Sequence, residues 1–152
     1  MDSESLAGLL KRIYNKFDMK SFENRLKLQK VIYLLQSQNM NLGYCFNFYL
    51  RGPYSTDLAR NGFQIEDYPN IKRAMFVDKD TEKKFDDFLE KIDCMKNDTR
   101  WLECASSILF LKNYPGNKDA IFKEMKKRNK PFSDKYLEET WEKLCDFGWI
   151  ND

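Results

Sequence analysis

The densest run of apolar residues lies between residues 25 and 36, and its spacing is helical. Leucine, isoleucine and valine recur there at helical intervals, and several positions between them are apolar too, as in a helix with more than one apolar face. Such a helix needs neighbours on most sides, so we expect it to lie at the centre of the fold. Its polar exceptions are Arg25, Lys27, Gln29, Lys30 and Gln36.

Amphipathic patterns predict helices along most of the remaining chain, beginning with one over residues 3–17. Short polar residues and glycines mark where the helices begin and end. The predicted caps and breaks are Ser3 or Ser5, Ser21, Asn41 and Gly43, Ser55 or Thr56, Thr81, Asp98 or Thr99, the turn at residues 113–116, Asn117, the break at residues 131–133, and Gly148.

Two short segments are candidates for extended structure. Residues 44–50 are aromatic and partly alternating, which predicts either a short buried strand or an extended packing segment. Gly52 and Pro53 are predicted to form the turn that ends it. Residues 73–78 are predicted either to pair with residues 46–50 as a second strand or to fill the core as an apolar plug.

The central helix and the predicted turn carry a two-part motif, an LQK helix followed by a GPYS turn. Its positions are Leu28, Gln29, Lys30, Tyr33, Gly52, Pro53, Tyr54 and Ser55. The motif resembles a family of small bacterial and archaeal proteins typified by YwgA, and it is more distantly similar to the Panacea or SocA-like domain. The resemblance implies a shared architecture and a role like that of the better-known members, which act as antitoxins or proteolytic adaptors.

Composition predicts one folded, helix-rich domain over residues 1–152, with a motif-bearing part at 1–70 and a C-terminal helical part at 80–152. The length is near the commonest domain size, 33% of residues are charged, and Gly and Pro number only 6 and 4. A net charge of +2 neither predicts nor excludes a nucleic-acid site, because such a site needs only a local basic patch.

The chain contains no histidine. Its absence removes the commonest acid-base residue and the usual zinc ligand, so we expect no enzyme, no metal and no cofactor. The cysteines, Cys45, Cys94, Cys104 and Cys145, form no CxxC pair and are expected to be reduced. No signal segment and no apolar run of membrane length is evident, so we expect a cytoplasmic protein that does not associate with a membrane.

The first candidate site combines cations and aromatic donors around the two-part motif. Such side chains suit an acidic partner surface or phosphates, through charge-assisted hydrogen bonds and cation–π contacts. The candidate partner-binding residues are Arg25, Lys27, Gln29, Lys30, Tyr33, Arg51, Tyr54 and Ser55. The alternative is structural, with Gln29, Lys30 and Tyr33 anchoring the GPYS turn by internal hydrogen bonds.

The second candidate site is a basic run before the last helix, in an outline similar to a helix-turn-helix reader. Its candidate nucleic-acid contacts are Lys123, Lys126, Lys127, Arg128 and Lys130. Carboxylates crowd the following helix and would repel phosphates, so the alternative is an ordinary solvated face.

The predicted fold is mainly α, an orthogonal bundle of six or seven helices in which a minor two-stranded β element is an open alternative. The predicted function is a non-catalytic module that binds a protein partner through the LQK helix and the GPYS turn. The antitoxin resemblance implies that this partner is a toxin or another regulated factor. The alternative is a nucleic-acid-binding regulator that uses the basic run.

Overall fold

The computed structural model describes residues 1–73, 75–114 and 116–151. Within them the chain forms seven α-helices and one two-stranded antiparallel sheet, which confirms the mainly α class and the minor β element. The elements are α1 (Ser3–Tyr14), α2 (Phe22–Ser37), β1 (Asn47–Tyr49), β2 (Gly52–Tyr54), α3 (Thr56–Gln64), α4 (Lys79–Ile92), α5 (Thr99–Lys112), α6 (Lys118–Lys127) and α7 (Asp134–Asp146). A short 3₁₀ helix, Ile65–Asp67, follows α3.

Each of these α-helices begins at a side chain that accepts a hydrogen bond from the backbone N–H three residues later. The predictions at Ser21, Ser55 and Asn117 are confirmed, and Asp98 is the cap of α5. Ser133 caps α7. The short polar side chain in an extended backbone conformation supplies the acceptor that the first helical turn lacks, so these boundaries are set locally.

Two predicted caps are wrong. Asp2 caps α1 in place of Ser3 or Ser5, because the N–H of Ser5 donates to its carboxylate at 2.8 Å. Asp78 caps α4 in place of Thr81, whose own N–H donates to Asp78 at 3.0 Å. A carboxylate at this position also opposes the positive end of the helix dipole, which favours it over a hydroxyl.

The helix α2 is central, as its pattern predicts. It buries nine of its residues and packs against α3, α5 and β2. The helix ends at Ser37, before the predicted stop at Asn41 and Gly43, and Asn39 takes the left-handed conformation with φ +64°. The helix α2 therefore ends earlier than the position of Gly43 predicted.

The sheet is a hairpin of β1 and β2, in which Asn47 pairs with Tyr54 and Tyr49 pairs with Gly52. The prediction of a strand within residues 44–50 is confirmed for Asn47–Tyr49, but the strand is not buried, since Asn47 and Tyr49 are exposed and Phe48 is half-buried. The prediction that Gly52 and Pro53 form the turn is wrong, because both residues lie in β2. The chain reverses direction immediately before them, at residues 50–51. Pro53 is tolerated in β2 because both strands of a two-stranded sheet are edge strands, and some positions of an edge strand need no N–H donor.

Residues 71–73 and 75–77 form no strand, so the predicted pairing of residues 73–78 with β1 is wrong for them, while Ala74 lies outside the described residues. Phe76 instead fits the apolar-plug alternative, with its ring 5.4 Å from that of Phe85. Its N–H donates to Glu82 at 2.9 Å. Within the predicted turn at residues 113–116, Pro115 also lies outside the described residues.

The buried apolar residues of both parts of the chain belong to one cluster, which extends from Leu6 in α1 to Ile150. Trp149 and Ile150 fold back onto this cluster after Gly148. None of the helices in the described ranges is long and apolar enough to span a bilayer.

Candidate functional site

Gln29 ties the central helix to the residue that starts α3. Its Nε2 donates to the carbonyl oxygen of Ser55 at 2.9 Å, and the N–H of Ser55 donates to its Oε1 at 2.8 Å. Both residues are buried. The Oγ of Ser55 accepts the N–H of Leu58, so this hydroxyl is engaged in capping the helix. Gln29 and Ser55 thus hold the backbone in place and do not face solvent.

Lys30 anchors the second strand of the hairpin. Its Nζ donates to the carbonyl oxygen of Pro53 at 2.6 Å, and only 2% of the residue is exposed. Burial lowers the pKa of Lys30 to about 7. Glu103 opposes this shift, whereas Lys130 and Arg51 lower the pKa of Lys30 further. The motif lysine is therefore an interior support of β2.

Glu103 forms a charged cluster that the sequence did not predict. Its carboxylate lies 3.7 Å from Nη1 of Arg51 and 4.0 Å from Nζ of Lys130. Glu103 and Lys130 are both buried, and Lys130 also donates to the carbonyl oxygen of Leu50. The hairpin turn, α5 and the segment before α7 thereby meet at one carboxylate. A lone acid inside the apolar pattern of α5 is the signal that would have found it.

Gly52 lets the hairpin approach α5 closely. Its φ is +95°, and a Cβ added there would lie 2.5 Å from Oγ of Ser107 and 3.6 Å from Nζ of Lys30. A real side chain at this position would have to displace Ser107 and adopt a backbone conformation that L residues rarely take. The glycine of the GPYS segment is therefore required by a close approach and by its φ angle, not by a turn.

Tyr33 lies in an aromatic cluster under the first strand. Its ring centroid is 5.1 Å from that of Phe46 and 6.0 Å from that of Phe110. Only 8% of the residue is exposed, and burial raises the pKa of its hydroxyl. Tyr33 packs in the interior in this structure.

Arg25 and Lys27 contact other parts of the fold. Nη1 of Arg25 donates to the carbonyl oxygen of Met19 at 2.9 Å, which ties it to the connector before α2. Nζ of Lys27 lies 6.0 Å from the ring centroid of Tyr14 in α1.

The structure thus divides the eight predicted partner-binding residues. Gln29, Lys30, Tyr33 and Ser55 are interior, as the structural alternative indicates, and direct contact of these four residues with a partner stays a prediction. Arg51 and Tyr54 are exposed on the hairpin. The sequence pattern does not distinguish the interior residues from the exposed ones, because polar residues of both kinds lie in or beside the same short motif.

The hairpin and the first residue of α2 expose a set of large side chains. Leu50 is 93% exposed, and Phe22 and Tyr49 are each more than half exposed. The rings of Tyr49 and Tyr54 meet edge to face at 5.5 Å, and the guanidinium of Arg51 lies 5.4 Å from the ring of Phe22. We call Phe22, Tyr49, Leu50, Arg51 and Tyr54 the hairpin surface.

The basic run retains few unpaired cations. Lys126 and Arg128 each form an ion pair with a carboxylate, and Lys130 is buried in the Glu103 cluster. Lys123 and Lys127 are exposed and pair with no carboxylate among the residues that the structure describes. The nucleic-acid alternative stays a prediction, with two free cations in place of the five that the sequence indicated.

Gln36 is a second clamp that sequence reasoning missed. Its Oε1 accepts the N–H groups of Leu42 and Tyr44 at 3.2 and 3.0 Å, and its Nε2 donates to the carbonyl oxygen of Tyr44 at 3.0 Å. Gln29 and Gln36 stand two helical turns apart on α2, so they lie on one face of the helix. That spacing is a signal in the sequence that could have identified both clamps.

The described residues contain no group of three or more metal-ligating side chains that could hold an ion. Cys45 and Cys94 are exposed free thiols, whereas Cys104 is buried, and burial raises the pKa of its thiol to about 12. A thiol with so high a pKa is a poor nucleophile near neutral pH.

Comparison with known proteins found no relative: no family model matches the chain, and neither does any curated protein or solved structure. The resemblance to the YwgA and Panacea-like proteins accordingly stays a prediction that depends on the motif alone.

Proposed function

We propose that this chain is a non-catalytic cytoplasmic module that binds a protein partner through the hairpin surface. One observation carries the proposal: Leu50, at the tip of the hairpin, is 93% exposed and lies between the exposed residues Tyr49 and Arg51. Aromatic residues and arginine are the types that dominate binding energy at protein interfaces.

The support beneath this surface favours binding. Lys130 holds the carbonyl of Leu50, Lys30 holds that of Pro53, and Gln29 holds the backbone of Ser55. A surface whose backbone is already fixed loses less conformational entropy when a partner binds than a flexible loop does. On this proposal the LQK and GPYS motif builds the platform, and the neighbouring exposed residues make the contact.

The resemblance to antitoxin and adaptor proteins suggests the kind of partner. A toxin or another regulated protein is the partner that such a role implies, and the hairpin surface would cover an apolar site on it. This part of the proposal depends on the resemblance, whereas the position of the surface depends on the exposed side chains.

The proposal is tested by affinity capture from the cells that produce the protein, followed by measurement with the purified partner. Wild type, Leu50→Asp and Val77→Asp are compared. Val77 is a matched control because it is also a fully exposed apolar residue, outside the hairpin surface. We expect Leu50→Asp to weaken binding by about 30-fold or more, as for a residue central to an interface, and Val77→Asp to leave it unchanged. Equal binding by all three proteins would exclude the hairpin surface.

A further inference from the structure

A small pocket opens beside the hairpin surface. Its volume is about 200 Å³, and it lies between the start of α2, the hairpin turn, the start of α5 and the segment before α7. The residues that matter for its chemistry are Phe22, Arg51, Arg100, Glu103 and Phe132. A volume of this size suits one side chain, because sites for drug-sized molecules begin at about 300 Å³.

Aromatic rings orient both guanidinium groups of the pocket. Cζ of Arg100 lies 5.3 Å from the ring centroid of Phe132 and 4.7 Å from that of Tyr136, and its Nη2 donates to the carbonyl oxygen of Pro131 at 3.1 Å. Arg51 stands over Phe22 in the same manner. An arginine side chain that is stacked on a ring loses less conformational freedom when a ligand binds than a mobile one does. Its planar guanidinium group also matches the geometry of a carboxylate.

The charges around the pocket leave room for one more anion. Arg51 and Arg100 line the pocket together with two carboxylates, Glu23 at the exposed rim and Glu103 at the base. Lys130 lies outside the lining, 4.0 Å from Glu103, and compensates that carboxylate. At 3.7 Å the contact between Arg51 and Glu103 is longer than a hydrogen bond, so Arg51 retains donors for a ligand. Arg100 forms no ion pair within the described ranges.

The neighbouring Asp98 lies outside the lining of the pocket and adds less to this balance than a free carboxylate would. Its carboxylate accepts the N–H of Trp101 at 2.9 Å as the cap of α5, where the helix dipole compensates it. With Glu103 compensated by Lys130, the two arginines exceed Glu23 by one charge, which balances a carboxylate and would leave the second charge of a phosphate uncompensated.

We propose that this pocket, the arginine pocket, binds a single carboxylate from an Asp or Glu side chain of the protein partner. The inference depends on the proposed function, because Phe22 and Arg51 belong to both the hairpin surface and the arginine pocket. A folded partner seated on the hairpin surface presents side chains to the adjoining pocket. The carboxylate lies between Arg51 and Arg100 and receives charge-assisted hydrogen bonds from both.

The test uses the protein alone and a small probe, aspartate with both termini blocked by acetyl and N-methylamide groups. Backbone amide and arginine side-chain NMR signals are followed as the probe is added. We expect saturable shifts at Arg51 and Arg100 with a Kd in the millimolar range, as befits a fragment of this size. The blocked asparagine probe, which has the same shape without the charge, should produce no saturable shift.

Two substitutions and one control locate the binding. Arg100→Gln and Arg51→Gln are each expected to weaken aspartate binding at least about tenfold, because each removes one charged fork. If one of these two variants does not fold, the other variant alone is sufficient for the test. Arg60→Gln is the control, since Arg60 is an exposed arginine on α3 that pairs with Asp57. It should bind the probe like wild type.

Several results would overturn the inference. Equal shifts from the asparagine probe, unchanged binding by both arginine variants, or binding only of acetylglycine, which carries a terminal carboxylate, would each exclude a site for an acidic side chain. Stronger binding of inorganic phosphate than of aspartate would do the same. The outcome is separate from the capture experiment: aspartate binding with Leu50→Asp still holding the partner would refute the hairpin surface and not the pocket.

Discussion

Gly52 is the residue at which the hairpin comes closest to α5. We expect Gly52→Ala to lower the free energy of unfolding by about 1–3 kcal/mol, because the new Cβ would lie 2.5 Å from Oγ of Ser107 at a φ of +95°. Urea unfolding measures this loss. Gly148→Ala is the control: its φ is +75° with no atom within 4 Å, so only the backbone strain of about 1 kcal/mol applies.

A double-mutant cycle with Ser107 separates the steric contact from the strain. The Oγ of Ser107 is buried and makes no hydrogen bond with any residue that the structure describes, so Ser107→Ala alone should cost little. In the Ser107→Ala background, Gly52→Ala should become less destabilising, because the contacting atom is gone. Strictly additive losses would contradict the close approach.

At the level of elements, α2 holds two following segments through glutamines on one face. Gln29 clamps the start of α3, and Gln36 clamps the segment that leads to β1. We expect Gln29→Leu to lower the free energy of unfolding by about 1–3 kcal/mol, because it leaves the buried N–H of Ser55 unpaired, while the C=O of Ser55 still accepts the N–H of Ala59 at 3.1 Å. Thermal and urea unfolding of the purified variants check this value.

Gln36→Leu is the matched variant on the same helix. Gln36 is half-buried, so water can replace part of the lost hydrogen bonding, and the expected loss is about 1 kcal/mol. Hydrogen exchange at the amides of Leu42 and Tyr44 should accelerate in this variant while exchange at Ser55 stays slow. Equal losses for the two glutamines would mean that burial does not distinguish them.

For the molecule as a whole, Lys30 makes stability depend on pH. Its pKa is about 7 in the folded protein, against an ordinary value of 10.5. Between these values the unfolded chain binds more protons at Lys30, so the free energy of unfolding rises with pH there. Below about pH 7 both states are protonated, the cost of burying the charge is present in full, and Lys30 contributes no further pH dependence.

Lys30→Met removes this contribution. We expect the variant to gain stability relative to wild type as pH falls from 9 to 7, by up to about 1.4 kcal/mol per pH unit, and the difference to level off below that window. Urea unfolding at pH 6, 7, 8 and 9 supplies the measurement. Lys123→Met, at an exposed lysine, is the control and should show a flat difference. A flat difference for Lys30→Met as well would show that its pKa is not lowered.

Local chemistry explains which parts of the fold could be predicted. Ser21, Ser55 and Asn117 were identified as caps because a cap involves only the next few residues of the chain. The central place of α2 followed from its apolar pattern. Asp78 was missed because two polar residues near one helix start compete for the same role, and the sequence does not show which side chain receives the N–H.

The candidate site was predicted only in part, for a different reason. Lys30 and Arg51 were both predicted to bind a partner, yet Lys30 is buried beneath the hairpin and Arg51 is exposed on it. The sequence does not show this difference, since it depends on which face of α2 meets β2. Glu103 and Lys130, far apart along the chain, were not connected at all before the structure brought them within 4.0 Å.

Capping and apolar periodicity act between near neighbours in the chain, so the helical class, most helix starts and the central place of α2 follow from the amino-acid sequence alone. The packing of the elements is needed to show that Gly52 and Pro53 lie in a strand, that Lys30 is interior, and that Arg51 and Arg100 share a pocket. These features arise where separate elements pack together, and the burial and charge of a side chain there depend on residues distant in sequence.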